Sequence, residues 1–157
     1  MDARTGRARV RTALVTGGSG GIGKGCAAKL CELGYDVVLS ARRVDPLRAA
    51  SDEIGARYIV ADASDASGFA RAIGPLETID LVVHAAGTLG GTYARKQTFE
   101  QWRTIISANL DSCFVVTAAA LPKMRAYRKP QASEAHDVEL DFSRVAQGLV
   151  FFRSRDG

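Results

Sequence analysis

Short apolar runs alternate with amphipathic stretches along most of the chain. Residues 13–15, 36–40, 58–61 and 79–83 are rich in Val, Leu and Ile, and stretches of helical periodicity separate them. This order predicts β-strands that pair in parallel, joined by helices that cover both faces of the sheet. On this pattern the run at 58–61 is a fully buried third strand, and the fold class is α/β.

The predicted helices have recognisable ends. The first extends from about Ile22 to Leu33. The second begins at Pro46, with Asp45 as its N-cap, and ends at Gly55. These assignments follow from the preference for Asp at the N-cap, for Pro at the first helical position and for Gly after the last.

A longer helical stretch is predicted for residues 98–124. Apolar side chains recur there at steps of three and four residues, which is the spacing of one helix face. Asn109 lies in the middle, although its amide competes for backbone hydrogen bonds and makes Asn a poor residue for a helix interior. By the local pattern the position is either an exposed, neutral Asn or a functional one.

A glycine-rich turn joins the first strand to the first helix. Residues 16–23 have the sequence TGGSGGIG. Glycines permit a tight turn and let the backbone approach a pyrophosphate, while free N–H groups at the start of the helix supply positive potential. A flexible turn without a ligand is the alternative. A nucleotide site is favoured because a second strand follows at the distance that a βαβ unit requires.

The spacing Thr16-Gly17-x-x-x-Gly21-Ile22-Gly23 resembles the glycine motif of the classical short-chain dehydrogenase/reductases. The resemblance implies a Rossmann-like three-layer fold, a bound NAD(H) or NADP(H), and a catalytic set of Ser, Tyr, Lys and a helical Asn. It also implies hydride transfer, with a small-molecule carbonyl or alcohol as the substrate. The residues of this motif implied to bind the cofactor are Thr16, Gly17, Ser19, Gly21, Ile22 and Gly23.

The end of the second strand bears on the choice of cofactor. An enzyme that prefers NAD usually places an acid there to bind the ribose hydroxyls, whereas this chain has Ala41 followed by Arg42 and Arg43. A guanidinium can bind the 2′-phosphate of NADP with paired, charge-assisted hydrogen bonds. The alternative is a pair of exposed arginines at a helix start, which the helix dipole disfavours. NADP is therefore expected rather than NAD.

Two further segments resemble cofactor-binding motifs of the family. Asp62 resembles the aspartate that binds the adenine ring, although Asp62 or Asp65 could instead cap a helix at about 66–73. Asp65 is the better cap and Asp62 the better ligand. Residues 84–87 resemble the Asn-Ala-Gly motif, with a structural His84 in place of the first Asn. The residues of that motif implied to contact the cofactor are Ala85, Ala86 and Gly87.

The catalytic residues match the family only in part. The resemblance makes Asn109 the helical Asn that holds a water in the proton relay, and it aligns Ser154 with the catalytic serine; an unrelated tail is the alternative for Ser154. No Tyr-x-x-x-Lys occurs in the chain, because Tyr93 and Lys96 are one residue too close. In the family that Tyr is the acid or base, and the Lys lowers its pKa.

Four regions are predicted along the chain. Residues 1–10 form a basic arm, 11–125 an NAD(P)-binding domain, 126–147 an irregular insertion or loop, and 148–157 a fifth strand with a truncated end. The chain is expected to be truncated, or altered in reading frame, after Met124. Its fold is then expected to be incomplete at the C-terminal side, and the enzyme to be inactive in this form. A non-catalytic nucleotide-binding or subunit-interaction module is the alternative.

Composition and charge weigh against several other classes of protein. The net charge of +4 over 157 residues is modest, so no nucleic-acid partner is expected. No apolar run approaches the roughly 20 residues of a membrane span, and no signal peptide is recognisable, so a cytoplasmic protein without a membrane partner is expected. Residues 136–141 match no metal-binding motif, so no metal site is predicted. The resemblance implies that the helix from about Asn109 to Met124 packs against a second subunit.

Overall fold

The computed structural model of the chain describes residues 10–89, 94–124 and 151–153, the last three by their backbone. The predicted arm at 1–10, apart from Val10, and the predicted insertion at 126–147 lie outside these ranges. The elements in chain order are β1 (Thr12–Thr16), α1 (Gly21–Glu32), β2 (Asp36–Ala41), α2 (Val44–Ile54), β3 (Arg57–Val60), α3 (Ala66–Ala72), β4 (Leu81–His84), a 3-10 turn (Ala94–Lys96), α4 (Phe99–Ile106), a π-helical segment (Ser107–Asp111), α5 (Ser112–Ala120), a second 3-10 turn (Leu121–Lys123) and β5 (Phe151–Arg153).

One sheet contains the five strands, in the order β3-β2-β1-β4-β5. The first four pair in parallel, as predicted. The strand β5 instead runs antiparallel to β4, with Arg153 opposite Leu81 and Phe151 opposite Val83. A fifth strand that continued the parallel pattern would run the other way, so this direction departs from the resemblance.

The third strand is not fully buried, contrary to the sequence prediction. The strand β3 lies at the edge of the sheet, where Tyr58 is 38% exposed and Val60 is 43% exposed. Its apolar run reflects β propensity as well as burial, and a sequence pattern alone does not separate the two. The fully buried strands are β1 and, in its central four residues, β2.

Two apolar clusters fill the spaces on the two faces of the sheet. On one face the side chains of Leu14, Val38 and Val82 pack against α3 and α5. On the other face those of Val15 and Leu39 pack against α1 and α2. Successive side chains of a strand point to opposite faces, so each central strand contributes to both clusters. The result is a three-layer α/β fold of the Rossmann type.

The start of α2 differs from the prediction, whereas its end agrees with it. The helix begins at Val44, and Arg43 rather than Asp45 is its N-cap. Asp45 lies in the first turn, and Pro46 is tolerated there because the first N–H groups of a helix have no partner within the helix. Gly55 ends the helix in the left-handed conformation at φ 70°.

The predicted long helix forms, with a change of geometry in its middle. It starts at a capping box, in which Thr98 and Gln101 each accept a backbone hydrogen bond from the other, at 3.2 and 3.0 Å. Several of its regularly spaced apolar side chains are exposed, with Phe99 and Phe114 each 75% accessible to solvent. Only the part of the apolar pattern that includes Val116 belongs to the core.

Among the described residues, one helical stretch (99–123) is long and apolar enough to cross a membrane by length and composition alone. Its mean hydropathy over 18 residues is 1.5, so the expectation that no segment approaches this criterion is wrong. The finding is weak evidence, because helices of soluble proteins pass the same test. This stretch packs against the sheet and α3 through Val116 and Ala120. The absence of a membrane partner stays a prediction.

Candidate nucleotide-binding site

A cleft of about 290 Å³ lies at the carboxyl ends of β1, β2, β3 and β4. Ligands of open α/β sheets bind at this edge, where the strand order reverses. In the present sheet the reversal falls at β1, between β2 and β4. The residues that line the cleft are Gly17, Ser19, Gly20, Ser40, Ala41, Arg42, Arg43, Ala61, Asp62, Ala63, Ser64, Ala85, Ala86, Gly87, Ala108 and Ser112.

The glycine turn is closely packed at two positions. Gly17 has a φ of 66°, and a Cβ atom there would overlap the backbone carbonyl of Ala85. The N–H of Gly20 donates to the Gly17 carbonyl at 2.9 Å, and a Cβ at Gly23 would overlap that same carbonyl. The turn therefore requires glycine for backbone conformation at Gly17 and for helix packing at Gly23.

The start of α1 offers unpaired backbone donors next to the cleft. Its N-cap, Gly20, provides no side-chain hydrogen bond, and the first turn contains no acidic residue. The N–H groups of Gly21, Ile22 and Gly23 belong to this first turn, where a helix has no partner of its own and carries partial positive charge. Gly17 and Ser19 line the cleft, whereas residues 21–23 form its helical border. The arrangement suits an anionic ligand.

Thr16 supports the cleft through buried hydrogen bonds and is not one of the lining residues. It is buried, its hydroxyl donates to the Val83 carbonyl at 3.4 Å, and it accepts the N–H of Ala86 at 3.3 Å. The side chain thus joins the end of β1 to the segment after β4. Ala85, Ala86 and Gly87, the predicted small residues of that segment, all line the cleft.

Arg42 and Asp62 face each other across the outer part of the cleft. The guanidinium Nη1 of Arg42 lies 3.9 Å from Oδ2 of Asp62, and both side chains are solvent-accessible. Oδ1 of Asp62 accepts the hydroxyl of Ser64 at 2.7 Å and its N–H at 2.9 Å. These Ser64 hydrogen bonds, with a smaller contribution from Arg42, hold the pKa of Asp62 below its ordinary value. Asp62 is therefore ionised at neutral pH.

Of the two acidic residues after β3, Asp65 caps a helix as predicted, whereas the ligand role of Asp62 stays a prediction. Asp65 is the N-cap of α3, because its carboxylate accepts the N–H of Gly68 at 3.0 Å. This bond also lowers the pKa of Asp65. Asp62 makes no such cap bond and lines the cleft instead. The cap and the candidate ligand are thus different residues.

His84 is a buried structural residue at the end of β4. Its Nε2 lies 3.2 Å from the Thr117 hydroxyl of α5, and its side chain is almost inaccessible to solvent. Burial lowers the pKa of His84 to about 4. The imidazole is therefore neutral at pH 7 and joins the sheet to the helix layer.

Asn109 binds the loop that follows β4. Its Nδ2 donates to the carbonyls of Thr88 at 2.9 Å and Ile105 at 2.8 Å, and its Oδ1 accepts the Thr88 N–H at 3.3 Å. A Cβ on Gly87 would approach that Oδ1 to 2.5 Å. Asn109 lies in the π-helical segment, a geometry often found at functional positions. The side chain is exposed, as the local pattern allowed, and it makes three hydrogen bonds; its role in a proton relay stays a prediction.

Several lining residues were not predicted from the sequence. Ala108 and Ser112 come from the same helical stretch as Asn109, and Ser112 donates to the Ala108 carbonyl at 2.8 Å. Helical spacing could have indicated Ser112, which is three residues after Asn109, but not its direct neighbour Ala108. Ser40 and Ser64 complete the outer wall, and the Asp-x-Ser spacing was the available signal for Ser64.

The predicted catalytic serine lies outside the described residues. Ser154 directly follows β5, whose last residue, Arg153, pairs with Leu81 at the amino end of β4. The cleft lies beside the opposite, carboxyl end of β4. The assignment of Ser154 as the catalytic serine therefore stays a prediction. Tyr93 also lies outside the described residues.

Comparison with known proteins agrees with the glycine turn, the sheet and the cleft. The sequence model of the family described as short chain dehydrogenase matches residues 11–133. The chain belongs to the short-chain dehydrogenase family. The predicted family and fold are thereby confirmed.

Related short-chain dehydrogenases resemble the chain over part of their length. The NADP-dependent (R)-specific alcohol dehydrogenase of Lentilactobacillus kefiri is 35% identical over 132 residues, which are 77% of this chain and 51% of that protein. The NADP-dependent 3-hydroxy acid dehydrogenase YdfG of Salmonella typhimurium is 33% identical over 118 residues, 71% of this chain and 48% of that protein. The chain spans about half the length of the curated relatives it matches.

Solved structures of short-chain dehydrogenases show the same fold. One from Mycobacterium ulcerans has a TM-score of 0.66 at 30% identity and covers 72% of this chain and 46% of its own. A variant of actinorhodin polyketide ketoreductase with NADPH has a TM-score of 0.65 at 28% identity, with 71% of this chain and 46% of that chain covered.

Proposed function

We propose that the chain binds NADP(H) in the cleft at the carboxyl edge of the sheet. The observation that carries the proposal is the pair of positive features on either side of that cleft. One is the uncapped start of α1, and the other is Arg42 with Arg43 after a strand that ends in Ala41 rather than an acid. A dinucleotide with a 2′-phosphate presents negative charge to both. Related enzymes named NADP-dependent support the proposal.

Each part of the cofactor would be bound by residues of matching chemistry. The turn at Gly17 and Ser19 and the start of α1 at Gly21, Ile22 and Gly23 would hold the pyrophosphate. Arg42 and Arg43 would bind the 2′-phosphate, and Asp62 would accept a hydrogen bond from adenine. The small side chains Ala85 and Ala86, with Gly87, would leave room for the nicotinamide ring beside β4.

The reaction proposed for the whole protein is hydride exchange with an alcohol or carbonyl compound. When bound, the cofactor supplies a hydride from the nicotinamide C4 to a carbonyl carbon, and the carbonyl oxygen must gain a proton. This chain contributes Asn109 beside the inner end of the cleft, where its backbone or a bound water would serve a proton relay. It contains no Tyr-x-x-x-Lys. We therefore propose that the 157-residue chain binds the cofactor without turning it over.

Titration of the purified chain with NADPH and NADH, followed by nicotinamide fluorescence, tests the cofactor assignment. Arg42→Ala removes a charge-assisted contact to the 2′-phosphate, which costs about 1.5–3 kcal/mol, or roughly ten- to hundredfold in affinity. We expect that loss for NADPH and almost none for NADH. Arg48→Ala is the matched control, because Arg48 is an exposed arginine of α2 that pairs with Asp45 outside the cleft. Equal losses for both cofactors in Arg42→Ala would refute the assignment.

A second function, subunit interaction, is favoured by the exposed face of α4, the π-helical segment and α5. Phe99 and Trp102 stack at 5.5 Å between ring centroids, and Leu110 and Phe114 are also exposed. Large exposed apolar faces mark interaction sites. We propose that a second copy of the chain covers this face.

The oligomeric state in sedimentation tests this interface. Phe114→Asp should convert a dimer to a monomer, whereas Leu33→Asp, at an exposed Leu after α1, should not. A wild-type monomer at high concentration would contradict the proposal.

A further inference from the structure

The two carboxylate oxygens of Asp62 have different surroundings. Oδ1 accepts both the N–H and the hydroxyl of Ser64, at 2.9 and 2.7 Å. Oδ2 makes neither bond and lies 3.9 Å from Nη1 of Arg42. Asp62, Ser64 and Arg42 all line the same cleft. Oδ1 is therefore bonded to Ser64, whereas Oδ2 faces the guanidinium of Arg42, another residue of the cleft lining.

Ser64 fixes which oxygen of Asp62 faces Arg42. A carboxylate held at one oxygen by two donors loses the freedom to rotate about its terminal torsion, which is otherwise broad and two-fold. The backbone is fixed as well, because the N–H of Asp65 donates to the Asp62 carbonyl at 3.1 Å. The same Ser64 bonds lower the pKa of Asp62 and keep the carboxylate an acceptor. An ionised carboxylate accepts hydrogen bonds only, so Oδ2, which Ser64 does not bond, selects a donor.

Building on the NADP(H) binding proposed above, we propose that Ser64 is a positioning residue for adenine recognition. It holds Asp62 so that Oδ2 meets the exocyclic amine of the base. That amine is the hydrogen-bond donor that adenine presents on its edge. A hypoxanthine base carries a carbonyl oxygen at the same position and would face the carboxylate with a second acceptor. Ser64 thereby contributes to the choice of base, although it acts through Asp62.

The test compares NADPH with its hypoxanthine analogue. Dissociation constants for both are measured by fluorescence titration of the full chain and its variants. Ser64→Ala removes the hydroxyl, and Ser64→Thr restores it. Ser67→Ala is the matched control, because the Ser67 hydroxyl bonds the neighbouring carboxylate, Asp65, at 3.2 Å, and neither residue lines the cleft.

The expected readout is the ratio of the two dissociation constants. A hydrogen bond to a charged acceptor changes affinity by about tenfold or more, so the wild-type chain should prefer NADPH by roughly that factor. Ser64→Ala should reduce the preference about three- to tenfold, mainly by weakening NADPH. Ser64→Thr and Ser67→Ala should retain it. If Ser64→Ala weakens both nucleotides equally, Ser64 merely supports the loop and the positioning role is wrong.

A double-mutant cycle shows whether Ser64 acts through Asp62. In an Asp62→Ala background the serine has no carboxylate to hold, so Ser64→Ala should change the NADPH dissociation constant less than twofold. An undiminished effect in that background overturns the inference, while NADPH binding itself persists. Failure of the wild-type chain to bind NADPH at all would instead refute the proposed function, and the adenine role with it.

Discussion

The side chain of Asn109 binds both backbone polar groups of Thr88. Its Nδ2 donates to the Thr88 carbonyl at 2.9 Å, and its Oδ1 accepts the Thr88 N–H at 3.3 Å. The second Nδ2 hydrogen goes to the Ile105 carbonyl at 2.8 Å, within the helical stretch itself. One amide thus joins the π-helical segment to the loop after β4, directly beside Gly87 in the cleft wall.

Replacing Asn109 should therefore affect both stability and ligand affinity. Asn109→Ala removes three hydrogen bonds whose partners are accessible to water, so we expect a loss of about 1–2 kcal/mol in the free energy of unfolding. NADPH affinity should fall as well, roughly three- to tenfold, because Thr88 and Gly87 lose their attachment. Urea unfolding and fluorescence titration measure the two effects.

Thr104→Ala serves as the control for Asn109→Ala. The Thr104 hydroxyl donates to the Glu100 carbonyl at 3.0 Å, so its bond stays within α4 and does not reach the cleft. This variant should leave NADPH affinity unchanged. If Asn109→Ala behaves in the same way, the attachment of Thr88 has no part in binding.

The sequence was sufficient for the features that depend on local chemistry. The turn at Gly17, the cap at Asp65 and the helix end at Gly55 follow from backbone preferences that a few neighbouring residues determine. Features that depend on residues far apart in the chain could not be predicted from local sequence. Whether β3 is an edge strand depends on the strand order, and its apolar run gave the wrong answer.

In the candidate site, too, the sequence predicted the residues of local motifs but not the contacts between distant residues. Arg42 and Asp62 were identified from motifs at the ends of two strands, and both line the cleft. The donors to Asp62 and the partner of Asn109 were not identified. Thr88 is 21 residues from Asn109 along the chain, and helical periodicity gives no information about a contact of that kind.

The close packing of Gly23 against the Gly17 carbonyl predicts a strong effect of a single methyl group. Gly23→Ala would force α1 away from the turn, so we expect a loss of about 1–3 kcal/mol in the free energy of unfolding and at least tenfold in NADPH affinity. Gly25→Ala is the control on the same helix, because a Cβ there meets no atom within 4 Å. It should stabilise the protein by up to about 1 kcal/mol, since Ala is the better helix former. Similar behaviour of the two variants in thermal unfolding would contradict the packing argument.

The buried His84 predicts a loss of stability in mild acid. Its pKa is lowered from 6.5 to about 4 in the folded protein, so the unfolded chain binds more protons between these values. Stability from the neutral imidazole is complete above pH 6.5 and is lost as the pH falls toward 4, by about 3 kcal/mol at most. His84→Asn, which retains a hydrogen-bonding group for Thr117, should flatten the dependence in this window. An unchanged pH profile of urea unfolding in that variant would exclude His84 as its cause.

The last prediction is that this 157-residue chain binds NADPH but does not reduce carbonyl compounds at a rate typical of enzymes. The residues proposed to bind NADPH are the start of α1, Arg42 and Asp62, and all of these line or border the cleft. Reduction also requires a proton donor at the substrate oxygen, and such general acids contribute about 10²–10⁴-fold. The described residues that line the cleft include no Tyr, Lys or His, and the acid among them, Asp62, has a lowered pKa and is ionised at neutral pH. The described histidine, His84, is buried, neutral and close to Thr117.

The measurement is the loss of nicotinamide absorbance when the NADPH-saturated chain meets a panel of ketones and aldehydes. A related NADP-dependent alcohol dehydrogenase, assayed in parallel, establishes that the panel contains reducible substrates. Turnover in the usual range of about 1–10³ s⁻¹ by this chain would show the prediction to be wrong. The proton would then come from a residue outside the family motif. Tyr93→Phe and Lys96→Met would be the first variants to test, because these two side chains come nearest to the missing spacing.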